Sequence, residues 1–206
     1  MTPDRLRAAL HIALSPAGAA WLTASLDRVA RDGTAIRTLF PAAGRHCGRG
    51  PLGAGSPAFP EWTVDDGARV LLLTTATGVA SELADLYHHG SAAEQRAVLR
   101  GLSCSDFGDR GLPLVTEALR SNDPRLVATA MGPYAASWLE DSAYRHGVLK
   151  CVFMGIPLDA VAGLDEHTDD ELIRMMRSFA LERTAAGRPV PADLLARLPD
   201  LHRQDS

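Results

Sequence analysis

His146 and Lys150 stand four residues apart, so on a helix they share one face with the small residues Ala143 and Gly147. Lys150 is the only lysine in a chain otherwise supplied with arginine, and it sits inside the apolar run 148–154. A chain rich in Ala, Arg, Gly and Pro has the composition that GC-rich codons produce, so a lysine that persists marks a position where guanidinium does not serve. Guanidinium is a planar fork that stays charged, whereas ammonium is a compact point charge whose pKa moves readily on burial. A lysine in a narrow polar pocket is suited to act as base, Schiff-base amine or anion anchor. Tyr134, Tyr144 and Glu182 join His146 and Lys150 as the candidate lining of such a pocket, which would take an anionic or polyol-derived metabolite. The competing reading runs the Lys150 stem along the core and either brings its head out to water or pairs it with Asp165, Glu171 or Glu182.

The other motifs carry less. Asp106-Phe107-Gly108 copies a kinase tripeptide without the glycine-rich loop, HRD segment or strand-borne lysine that would give it a role. Gly48, Gly50, Gly53 and Gly55 lack the Lys-Ser/Thr of a phosphate loop, so they mark a linker or lid. His46, His88, His89 and His146 show no paired ligand spacing, and no metal or other cofactor is implied. No nucleophile, base and orienting group can all be named, which points away from an enzyme and toward a binding component.

The elements that must position these residues read as helices. A chain of 206 residues with 46% hydrophobic and 22% charged side chains can bury one sizeable core. Its net charge of -4 and scattered arginines give nucleic acid little footing. Cys47, Cys104 and Cys151 lack CxxC spacing, which favours a reducing compartment over a disulfide framework. The uncharged stretch 8–26 is broken by His11, Ser15, Pro16 and Gly18, so it predicts two amphipathic helices of a cytoplasmic protein and not a leader; no stretch suits an integral membrane protein.

Ser15 and Pro16 mark one helix start, Thr63-Val64-Asp65-Asp66 another, and Ser91–Glu94 and Thr168–Glu171 match the capping box. Further helices are expected at 111–121, 123–131, 142–154 and 157–164, with Asn122-Asp123-Pro124 as a cap. The run 68–77 is expected to be buried on most faces, and a following helix to stop at Gly90. Tyr134 and Trp138 read as core aromatics. On the last long helix Leu172, Met175, Met176 and Phe179 form the buried stripe, and Asp170 and Arg174 an i,i+4 pair. The expected fold is all-α, with stacked antiparallel helix pairs forming an irregular solenoid-like or curved bundle. Its parts would be an N-terminal helical region over 1–43, a Gly/Pro-rich linker or loop over 44–62, a helical core over 63–198 and a disordered tail over 199–206.

Four segments of that core, Gly147–Leu158, Gly163-Leu164-Asp165, Glu171–Met176 and Glu182–Pro191, resemble in order and spacing the EboA family of bacterial proteins. Leu86–Gly90, Arg96–Arg100 and Asn122–Leu126 fit it as well, so the resemblance spans about 63–197. It implies a place in a gene set that also encodes a UbiA-like prenyltransferase, a sugar-isomerase-like barrel, a dehydroquinate-synthase-like enzyme and metal-dependent hydrolases. That set is tied to making or exporting secondary metabolites, the pigment scytonemin among them. The implied partners are other Ebo-pathway proteins or a small metabolite. The resemblance supplies no catalytic residues, and its V-L-K motif falls on Lys150.

Overall fold

The computed structural model describes residues 2–53 and 61–198, and all of its regular structure is helical, apart from an isolated antiparallel bridge between Pro51 and Thr63. The chain forms two compact units that divide between Leu114 and Val115.

In the first unit, α1 (Pro3–Ala13), α2 (Pro16–Arg31), α3 (Ile36–His46) and α6 (Ala92–Leu102) all pack on α4 (Val64–Thr75), and α5 (Leu83–His88) packs on α6. Every residue of α4 from Val64 to Leu73 is buried, as the apolar run predicts. A helix surrounded on all sides must be apolar on all sides or have its polar groups paired. Ser15 caps α2 by accepting from Gly18 N at 3.1 Å, with Pro16 in the first turn. Thr63 with Asp66, and Ser91 with Glu94, close reciprocal capping boxes on α4 and α6. The segment expected as a linker from 44 begins as the last turn of α3, and its stems are tied where Leu52 N donates to Trp62 O and Val64 N to Gly50 O, both at 2.8 Å. It joins helices that meet in one unit.

The second unit contains the end of α7 (Leu112–Ala118), α8 (Pro124–Ala130), α9 (Pro133–Trp138), α10 (Asp141–Met154), α11 (Asp170–Ala185) and α12 (Ala192–Ala196). Helix α10 packs on α8 and α11, and α11 on α12. Asp123 caps α8 by accepting from Arg125 N at 2.9 Å, and Gly155 ends α10 in the left-handed backbone, φ 70°, that glycine adopts without steric cost.

Four local expectations are corrected. The helix expected at 157–164 is a single 3-10 turn, Leu158–Ala160, because its polar groups bond elsewhere: Leu158 N donates to Asp193 Oδ2, Ala162 N to Met131 O, and Ala162 O accepts from Tyr144. The cap of α11 is Asp169, which accepts from Leu172 N at 2.8 Å, while Thr168 Oγ1 turns back to Leu164 O. Arg174 pairs with Glu171 at 2.6 Å and not with Asp170, since i,i+3 neighbours also face each other. The buried stripe of α11 is Leu172, Met176 and Ala180, with Met175 and Phe179 half-buried. The tail expected over 199–206 lies outside the described residues, and no described helix is long and apolar enough to cross a membrane.

Candidate functional site

Helix α10 presents two different faces. Tyr144, Val148, Cys151 and Val152 are buried in the second unit's core, and Phe153 near its end is 72% exposed. The remaining face carries Ala143, His146, Gly147 and Lys150, and these line an open hollow of about 350 Å³ together with Thr116, Leu119, Arg120 and Leu139. The volume lies at the small end of the range in which ligand pockets fall. Gly147 forms part of the wall because Met131 sulfur packs so close beneath it that a Cβ would overlap it, with Leu119 Cδ1 also adjacent. The spacing 143, 146, 147, 150 therefore brings two polar side chains to the hollow while keeping the helix surface low between them.

Lys150 is half-buried, and its side chain forms no hydrogen bond or ion pair among the described residues. The carboxylates that the competing reading offered are engaged elsewhere or exposed: Asp165 pairs with Arg197 at 2.6 Å, Glu171 with Arg174, and Glu182 is exposed on α11. His146 Nδ1 lies 2.7 Å from Ser142 O, which assigns its proton to Nδ1 and leaves Nε2 available. Arg120 is exposed at the rim, and its side chain has no partner among the described residues.

Of the five side chains proposed from the sequence, His146 and Lys150 meet at this hollow, and the other three lie apart from it. Tyr144 is 1% exposed, with its ring centre 4.5 Å from that of His167, and donates its hydroxyl to Ala162 O at 2.7 Å, which ties the 158–164 segment to the core; burial pushes its pKa up to about 12. Tyr134 is buried with its ring 6.0 Å from that of Trp138. Trp138, expected in the core, is 43% exposed. Arg120, Thr116, Leu119 and Leu139 were missed, because no spacing within α10 indicates which helix will pack across from it.

A second polar cluster, absent from the sequence reading, lies in the first unit. Arg69 is 1% exposed in the middle of the apolar run of α4, and its guanidinium meets Asp65 at 2.6 Å, Phe40 O at 3.0 Å and Glu94 at 3.5 Å. Asp66, fully buried, is bridged by Arg100, which also donates to Glu61 O at 3.1 Å and lies over the Trp62 ring. Asp66 Oδ1 has no partner among the described residues. Each charge thus faces an opposite one, the arrangement by which a protein interior tolerates ions. The cysteines are free, and burial pushes Cys47 up to about 11 and Cys151 up to about 12, which keeps both as thiols and poor nucleophiles at neutral pH.

The fold is that of a helical protein, and its hollow is lined by the chain's one lysine, which comes from a helix buried on one face and has no partner among the described residues. Residues 56–198 match the family described as metabolite traffic protein EboA, and the chain belongs to that family. No curated protein and no solved structure matches it.

Proposed function

We propose that this chain is a non-catalytic binding component of the Ebo metabolite-traffic system, working in the cytoplasm, and that the hollow beside α10 is where it holds its cargo. The observation that carries the proposal is Lys150: a half-buried ammonium whose charge nothing within the described fold uses, set on a hollow of ligand size. A buried cation that a fold needs for its own stability is paired, as Arg69 is; one left unpaired beside a cavity is available to a ligand. In the scytonemin-type setting that the family resemblance implies, the cargo is a pathway intermediate or finished secondary metabolite, passed to or from another Ebo protein.

The test is to purify the chain natively from its host and identify the small molecules it carries by mass spectrometry, beside an Ala143→Leu variant that fills the hollow. The expected result is a molecule retained by the parent and lost from the variant, with unchanged thermal unfolding. Equal retention by both, with pathway output unaffected, would end this reading. Borohydride treatment is expected to leave Lys150 unmodified; a reduced adduct there would replace reversible binding with Schiff-base chemistry.

A further inference from the structure

Resting on that cargo-site reading, we infer that the hollow selects a small anion, a carboxylate or phosphate ester carried on an apolar body, and discriminates against neutral polyols and cations. The lining divides cleanly. Lys150 and Arg120 are cationic, His146 offers Nε2, Thr116 offers a hydroxyl, and the remaining four residues, Leu119, Leu139, Ala143 and Gly147, are apolar or small. No carboxylate lines the hollow; Glu117 and Glu140, adjacent in sequence to lining residues, are not part of it.

This inventory makes three exclusions. A cationic ligand would meet Lys150 and Arg120 with no counter-charge, a repulsion that water screens only in part. A polyol's hydroxyls could accept from the ammonium and guanidinium, but for their own protons the lining offers only His146 Nε2 and the Thr116 hydroxyl as side-chain acceptors, so several would give up water without a replacement and none would use the positive charge fully. A wholly apolar molecule would leave Lys150 half-desolvated without a partner. An anion with a compact apolar body satisfies both halves: its head takes charge-assisted hydrogen bonds from the ammonium and guanidinium, and its body covers Leu119, Leu139 and the low surface at Ala143 and Gly147. Lysine suits the inner position because a point charge accepts a head group from several directions, whereas a fork would demand one plane.

The experiment uses the full chain and four probes of nearly equal shape: naphthoate, naphthyl phosphate, naphthylmethanol and naphthylmethylammonium, titrated by calorimetry at low and high salt. At least one anion is expected to bind about tenfold or more tightly than the alcohol, the difference that about 1.4 kcal/mol produces, and the ammonium not measurably. Lys150→Met is expected to remove most of that advantage while leaving the alcohol's affinity unchanged, Arg120→Met to remove less, and Lys150→Arg to keep part of it. High salt should narrow the gap between anion and alcohol. Equal affinities for all probes, each abolished by Ala143→Leu, would overturn charge selection while leaving the cargo-site reading standing. Anion binding that survives Ala143→Leu, or no anion binding at all, would overturn the inference, and the mass spectrometry of native cargo would then decide the cargo site by itself.

Discussion

Helix α4, buried from Val64 to Leu73, and helix α10, buried on one face, both carry charge, and they handle it in opposite ways. In α4 the ions answer one another: Arg69 with Asp65 and Glu94, Asp66 with Arg100. In α10 the one ammonium, Lys150, faces a hollow with no carboxylate in its lining. The first arrangement satisfies the fold, since a buried charge without a partner destabilises strongly. The second leaves a half-exposed charge that costs the fold little and remains free to meet a ligand. Burial alone therefore does not identify a functional charge; the partner does.

The comparison is most easily broken in α4. Replacing Arg69 by Met leaves Asp65 buried without its cation and is expected to lower stability by about 3–5 kcal/mol in urea denaturation, whereas replacing Asp65 and Arg69 together by apolar residues should cost much less. A double change as damaging as the single one would show that the pair is not the relevant unit. Next in size, Gly147→Ala forces the flexible end of Met131 aside, a cost that alanine's higher helix propensity partly offsets, and is expected to lower stability by no more than about 1 kcal/mol while distorting the hollow. A stable Gly147→Ala protein with unaltered probe binding would contradict the close packing beneath the hollow.

A smaller effect is expected at the start of α11, where the Arg145 fork, followed by the Leu172 amide, holds Asp169 below the usual carboxylate range. Because the folded value is the lower one, this contribution is complete above the ordinary aspartate pKa and is lost as pH falls through the lowered value. Protection of the Leu172 amide, its exchange rate compared with the intrinsic rate at each pH, should therefore fall on acidification in the parent and change less with pH in Asp169→Asn. Smallest of all, Lys150→Met is expected to alter stability by no more than about 0.5 kcal/mol, since no partner is left behind. A larger loss would move Lys150 into the same class as Arg69.

Most helix starts were legible because a cap is a local transaction between a side chain and amides two or three residues away. Ser15, Thr63, Ser91 and Asp123 all cap near where their neighbours indicated. At Thr168-Asp169 two adjacent residues could serve, and Asp169 does so while Arg145 holds it from another helix. The segment 157–164 misled for a related reason: its apolar spacing suits a helix, but its polar groups bond instead to Met131, Tyr144 and Asp193, residues far along the chain. Tyr144 looked like a pocket residue because its sequence neighbours are, yet one position on a helix rotates a side chain by about 100°, from hollow to core.

The sequence by itself determined that the protein is helical, where most helices begin, which family it belongs to, and that His146 and Lys150 share a face of α10 with Ala143 and Gly147. Those properties follow from caps, periodicity and motif order, all of which act over a few residues. Only the tertiary structure decided that Arg69 would be buried against Asp65 and Glu94, that α7 and the turn after it would bring Thr116 and Leu119 to the hollow beside α10, and that Lys150 would find no carboxylate among the described residues. These outcomes depend on which helix faces which, and residues that share an interface need not share any spacing along the chain.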